Sequence, residues 1–259
     1  MQDKYVGDVG DFGKYGLLRA LTREDQHLGV VWYLARPENN NDGRHLTYLE
    51  KRHEYRRCDE FLFDSLGQLA RSNKRAVSAV KEAGLLPPQT VFVDRLVCLE
   101  NDPGRGPSAI AARKHYRAEW MTEARSLVQN CDLVFLDPDN GIGGRSFRPH
   151  GRNGHKHAGW EEVRQFASGG TKTMVIYHHA GRHKPALEQA RLLVEGYRAV
   201  VPNAGQMIAV GFRRGTFRIF LVAPSCQYEQ EAAKRVDDFL QRWQDHCYQL
   251  YPPKMDHRR

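Results

Sequence analysis

A chain of 259 residues, 41% hydrophobic and 27% charged, is long enough to bury a sizeable core in one large domain or two small ones and has a globular composition. No apolar run nears the ~18 residues of a membrane span, MQDKYVGD has no signal-peptide core, and five scattered cysteines without CxxC exclude a zinc ribbon; these features predict reduced thiols in a cytoplasmic protein. Lys plus Arg total 39 against 31 Asp plus Glu, and this net charge of +8 suits an anionic partner such as nucleic acid, or a basic solvated surface.

Residues 10–25 (GDFGKYGLLRALTRED) read as a helix, with Leu17, Leu18 and Leu21 at helical spacing. GVVWYL (29–34) is a short strand, followed by the polar loop ARPENNNDGRH. Residues 46–71 carry mixed helical periodicity around a basic cluster, KRHEYRR (51–57). A second helix over 73–84 is stopped by Gly84 and the Pro87-Pro88 pair. TVFVDRLV (90–97) is a strand and DPGRGPS (102–108) a loop. Ser108 is placed to cap a helix reaching about Gln129, with Ala112, Tyr116, Trp120 and Ala124 on one stripe. DLVFLDP is the next strand. The Gly- and His-rich stretch 143–158 reads as a mobile basic loop. A helix over about 159–168, the strand TMVIYHH (173–179) and a helix over about 184–197 follow. QMIAVGFRRGTFRIFLVAP (206–224) reads as a hairpin, and an amphipathic helix over about 228–246 precedes a basic tail.

Strands alternating with helices predict a single α/β domain over 1–259. The expected architecture is a Rossmann-like, doubly wound, mainly parallel sheet with a C-terminal antiparallel hairpin and a helical insertion at about 46–88. Ligands bind at the carboxyl ends of such strands. Three polar clusters fall there: ARPENNNDG, DPDNG and YHHAGRH.

In DPDNG, Asp137 abuts the apolar run directly, and Pro138 stiffens the turn. Asp137 and Asp139 are suited to accept from an amine, to act as a base or to bind a divalent cation, and Asn140 both donates and accepts. Turn chemistry accounts for Asn140-Gly141 but not for Asp137. In YVGDVGDFGKYGLLRAL (5–21), glycines surround a helix start and Lys14 sits at the junction, an arrangement open to anion binding or to a plain entry loop. It is neither a Walker A loop nor a dinucleotide fingerprint. His178, His179, Arg182 and His183 follow a strand as a basic, hydrogen-bonding pocket wall; the histidine spacing matches no standard metal set, so no metal ligands are assigned.

These motifs, in this order, give the chain a resemblance to the class I S-adenosylmethionine-dependent methyltransferases, and more narrowly to the bacterial large-subunit rRNA adenine-N6 methyltransferases. Gly7-Asp8-Val9-Gly10-Asp11-Phe12-Gly13-Lys14 is similar to that family's Gly-Asn-His-Ala-Asp entry with its following lysine. Asp137-Pro138-Asp139-Asn140 stands where the family carries Asp-Pro-Pro-Tyr, and the final hairpin and helix match its last elements. Two departures are visible. Asp139 and Asn140 replace the second Pro and the base-stacking aromatic. The glycine-rich loop after the first strand is reduced to Gly43-Arg44.

The resemblance implies S-adenosylmethionine as cofactor, with Lys14 and Gly43 at it; Asp11 and Tyr33 are further candidates for the cofactor site. The resemblance places Asp137 and Pro138 at the reaction; Asp139 and Asn140 beside them, and His178, His179 and Arg182 toward the substrate, are candidates from their place at the strand ends. The expected activity is methyl transfer to a nucleic-acid or other polar nucleophile. Two alternatives stay open: a phosphodiesterase using Asp137 and Asp139 with a divalent metal, and a non-catalytic nucleic-acid-binding module. Oligomeric state is left open.

Overall fold

The computed structural model describes residues 1–38, 43–72, 75–144 and 146–253. Part of the polar loop (39–42), Arg145 in the basic loop and the basic tail (254–259) lie outside the described residues. In chain order the elements are α1 (Val9–Leu21), β1 (Leu28–Trp32), α2 (Arg52–Tyr55), α3 (Glu60–Arg71), α4 (Val77–Glu82), β2 (Thr90–Val93), α5 (Pro107–Leu127), β3 (Leu133–Asp137), α6 (Trp160–Ala167), β4 (Thr173–His179), α7 (Ala186–Val200), β5 (Ile208–Arg214), β6 (Thr216–Ala223), α8 (Glu229–Arg242) and β7 (Cys247–Tyr251).

The strands form one seven-stranded mixed sheet in the order β2-β1-β3-β4-β6-β5-β7. The first four strands pair in parallel. β6 then lies antiparallel between β4 and β5, so β5 runs in the parallel direction, and β7 closes the edge antiparallel to β5. The chain is therefore α/β with a sheet that is parallel at first and antiparallel at the end. Among the described residues no helix is long and apolar enough to cross a membrane.

Both faces of the central strands are buried, so these strands are apolar throughout and alternate residues serve two separate cores. Leu133 and Phe135 of β3, with Val175 and Tyr177 of β4, face a core shared with α1, α3, α4 and α8. Val134, Leu136, Met174 and Ile176 face the other core, shared with α5, α6 and α7. Residues 46–88 contribute Tyr48, Tyr55, Leu62, Phe63, Leu66 and Val80 to the first core.

Several local expectations change. The helix expected from Gly10 starts at Val9, with Asp8 as its N-cap. Gly10, Gly13 and Gly16 thus lie inside it. A Cβ at Gly13 would fall 2.8 Å from the Phe212 ring, and one at Gly16 would overlap the Trp243 ring. These glycines let α1 close on β5 and α8 at a distance that no side chain permits. Helix α5 is capped by Gly106 with Pro107 in its first turn, so Ser108 is not the cap. Its buried stripe runs through Arg117, Trp120, Met121 and Ala124, while Ala112 is exposed. The last helix ends at Arg242, and Cys247–Tyr251 form the edge strand β7. The basic loop after β3 is pinned: Arg117 donates to the carbonyls of Gly154 (2.9 Å) and His157 (2.7 Å).

In an open helix Gly16→Ala would stabilise by about 1 kcal/mol through propensity. Here overpacking against Trp243 costs about 1–3 kcal/mol and reverses the sign. Gly16→Ala is expected to lower stability by about 1–2 kcal/mol. A urea midpoint that rises instead would show that α1 does not press on α8.

Candidate functional site

The strand order reverses between β1 and β3, because β2 lies on one side of β1 and β3 on the other. Outside the carboxyl ends of these strands the backbones diverge and leave a crevice. Asp137 is the last residue of β3, in register with Trp32. Strand parity puts it on the same face as Leu133 and Phe135, beneath α1. Lys14, in the second turn of α1, meets it there.

The Lys14 ammonium lies 2.7 Å from Asp137 Oδ2 and 2.9 Å from Asp11 Oδ1. It also sits 5.8 Å from the centre of the Tyr177 ring. Lys14, Asp11 and Asp137 are all buried. Burial by itself would drive the proton off Lys14, but Asp11 and Asp137 outweigh it and raise the pKa well above the ordinary value. Burial pushes the Asp11 carboxyl up to about 6, against the opposing pull of Lys14. A cation flanked by two carboxylates is therefore built into the floor of the site.

Above this floor is a cleft of about 180 Å³ lined by Asp8, Asp11, Lys14, Gly43, Asp137, Pro138, Asp139, Asn140 and His179, among others. Arg218 enters from β6, with Nη2 3.5 Å from Asp8 Oδ1 and Nη1 bonded to the carbonyls of Arg214 and Thr216. Asp139 binds the Met1 ammonium and accepts from Gln2 Nε2 at 3.0 Å. Burial opposes its charge, but the ammonium and the Gln2 amide outweigh it and hold the carboxyl below the ordinary range.

The amides at the start of α1 are already occupied. Asp8 accepts from Gly10 N and Asp11 Oδ2 accepts from Gly7 N. The helix start thus binds its own carboxylates, and Lys14 points to Asp137 rather than to an external anion.

The structure brings Asp137, Pro138, Asp139, Asn140, Lys14, Asp11, Gly43 and His179 together around one cleft. It places three other expected residues elsewhere. Tyr33 follows Trp32 and so faces the opposite core, where it packs on Trp120 and donates to Glu162 at 3.2 Å. Arg182 is exposed beyond β4. His178 faces away from the cleft and accepts from Ile142 N at 3.2 Å. Burial, then His179 and His157, lower its pKa to about 4, so the ring is neutral and serves as an acceptor. Gly141 sits on this ring at φ +88°, where a Cβ would fall 2.6 Å from the His178 Cα. His178 therefore fixes the DPDNG turn rather than facing the cleft. Asp8, His45, Tyr177, Thr216 and Arg218 also line the cleft, with Met1, Tyr5 and Gly10. For Tyr177 and Arg218 the available signal was strand parity, with Val175 on β4 and with Phe220 on β6.

A second, larger cavity of about 750 Å³ lies past the ends of β1 and β2. Arg36, Glu38, Val97, Leu99, Glu100, Asp102, Arg113 and Tyr116 are among its walls. Among the described residues no three His, Cys, Asp or Glu side chains are grouped to hold a metal ion.

Removing the cation leaves two buried carboxylates facing each other, so Lys14→Met is expected to cost about 3–5 kcal/mol in denaturant unfolding, with Asp137→Asn restoring part of it. A cost below about 1 kcal/mol would contradict a buried ion triad. A carboxyl held at about 6 when folded, against 3.8 otherwise, binds its proton more tightly in the folded chain. The stability contributed by Asp11 is therefore complete below about pH 4 and lost by pH 6, about 3 kcal/mol in all. Denaturation of the wild type and Asp11→Asn at pH 4 and 7 should show their difference shifting by that amount, against the wild type at pH 7. No protein-family model matches the chain, and no curated protein or solved structure matches it.

Proposed function

We propose that the chain is a methyltransferase-like enzyme of Rossmann-like architecture that transfers a methyl group from S-adenosylmethionine to a polar nucleophile, with nucleic acid the favoured acceptor. The observation that carries this reading is the position of Asp137-Pro138. Asp137 ends β3 beside the reversal in strand order and Pro138 follows it, with Lys14 reaching Asp137 from α1. The resemblance noted above puts the amine-binding Asp-Pro at the end of the same strand.

The walls of the larger cavity fit such a cofactor. Its volume is within the usual range of about 300–1,000 Å³ for a ligand of this size. Glu38, Glu100 and Asp102 suit the ammonium and ribose hydroxyls, Arg36 and Arg113 the carboxylate, and Val97, Leu99 and Tyr116 the adenine. Bound there, S-adenosylmethionine supplies an electrophilic methyl group. The chain supplies position and charge. Lys14 donates to Asp137 through Oδ2, which leaves the other carboxyl oxygen to accept a hydrogen bond from the acceptor group. Asn140 and His179 face the same space.

Charge supports an amine over a phosphate inside the cleft. Asp8, Asp11, Asp137 and Asp139 all line it, and Asp137 and Asp139 bind different cations instead of sharing one. The rim has the opposite character. Arg44, Arg105, Arg148, Arg182 and Arg213 are exposed on the loops after β1, β2, β3 and β4 and at the end of β5, all at the same edge of the sheet. An edge of this kind suits a phosphate backbone, which would hold the acceptor over the cleft.

Calorimetry with S-adenosylmethionine is expected to show binding in the micromolar range, and Asp137→Ala should keep that binding within ~3-fold while reducing labelled methyl transfer to nucleic acid by ~100-fold or more. No heat and no thermal shift at millimolar cofactor would overturn the proposal.

A further inference from the structure

Two openings lie along the carboxyl edge of the sheet, and one side chain stands between them. Glu38 belongs to the wall of the larger cavity and Asp139 to the wall of the cleft. Gln2 joins the two. Its Nε2 donates to Asp139 Oδ2 at 3.0 Å, and its Oε1 accepts from Glu38 N at 3.0 Å. Only 1% of Gln2 is exposed. The backbone beside it is fixed separately, because the Met1 carbonyl accepts from Ala35 N at 2.9 Å. The part free to move is therefore the side chain.

We propose that Gln2 is a gate between the cavity and the cleft. With the amide across Glu38 and Asp139 the two spaces are separate; with the side chain swung aside they form one site. The proposal rests on the methyl-transfer reading, in which a donor in the cavity must reach an acceptor at Asp137, and Gln2 bonds a wall residue of each space. Residue type supports the assignment. Swinging the uncharged amide aside takes one hydrogen bond from Asp139, which keeps the Met1 ammonium, whereas moving Lys14 or Asp137 would strand a buried charge. Glutamine also has three side-chain torsions, enough to leave the partition without moving the backbone. The carboxylate it releases, Asp139, then faces the joined space beside Asp137.

Closing reduces the apparent affinity of the joined site by the fraction of molecules that are open. Gln2→Ala removes both bonds. Gln2→Asn keeps an amide but is one methylene too short to span both partners. Each variant is expected to bind S-adenosylmethionine about tenfold more tightly than the wild type. The second readout needs no variant and no cofactor. In the wild-type protein the Glu38 amide should exchange with deuterium at least ~100-fold faster than the amides of Val30 and Val31 in β1. Glu38 exchange as slow as that of β1 would overturn the gate. So would fast exchange with cofactor affinity unchanged or weakened in both variants, which would make Gln2 a brace. Fast exchange with no cofactor binding by any of the three proteins would support the gate and overturn methyl transfer instead.

Discussion

A lysine ammonium buried between two carboxylates sets how α1 lies on the sheet. Lys14 and Asp11 belong to the helix, and Asp137 ends β3. Sliding α1 by one turn, about 5.4 Å, would carry the Lys14–Asp11 pair away together and leave the buried Asp137 carboxyl without its cation. Hydrophobic packing alone is indifferent to such small shifts, because a leucine finds contacts in several places. The ion triad is not. It fixes the register of helix on sheet, and the glycines at 13 and 16 bring the helix close enough for a lysine to reach the strand end. The charge geometry and the small-residue face are thus two parts of one arrangement, and both are encoded within α1.

Charge is also divided between interior and rim. Within the cleft, each of Asp8, Asp137 and Asp139 has a cation within 4 Å: Arg218, Lys14 and the Met1 ammonium respectively. Outside, exposed arginines stand on the loops after β1, β2, β3 and β4 and at the end of β5. Buried pairs at low dielectric interact strongly but at short range, while exposed arginines act over a Debye length of about 10 Å. The rim therefore attracts and orients, and the cleft discriminates by hydrogen bonding. A net charge of +8 describes only the first of these; the acidic interior is hidden in the same sum.

Much of this edge was readable from local pattern. The apolar run ending in Asp137-Pro138 identified both a buried strand and its polar tip, and the lysine after the glycines of α1 marked the other half of the pair. What local pattern lacks is the facing of each side chain. Tyr33 and His178 stand at strand ends, as expected, but each falls one residue out of phase with the cleft face and points into or beneath the opposite layer. Alternation along β4 separates them: Tyr177 and His179 line the cleft and His178 does not. Arg218 was hidden because a basic residue in an alternating hairpin reads as solvent-facing, while here its guanidinium lies over Gly10. β7 was missed for a different reason. Five residues, CYQLY, carry little periodicity, and their pairing with β5 is a long-range fact. Residues 1 and 2 offered no pattern at all, yet they bind Asp139 of the cleft and, through Gln2, Glu38 of the cavity.

The parts around the site are held with unequal strength. The turn after β3 rests on His178 from below, and the loop that follows is clasped by Arg117, which itself forms a buried ion pair with Glu162 at 2.6 Å. Glu162 also accepts from Gly159 N and from Tyr33, so α6, β1 and the loop share one network. Disturbing any member would expose a buried charge, at a cost of several kcal/mol. The Gln2 side chain carries no charge of its own and is held by one bond to the Asp139 carboxylate, worth about 1.5–3 kcal/mol, and one from the Glu38 amide, worth about 1 kcal/mol. Thermal fluctuation therefore reaches the partition long before it reaches the frame. The frame supplies fixed positions for Asp137, Asn140 and His179, while an uncharged side chain, Gln2, links the wall of the cleft to the wall of the cavity.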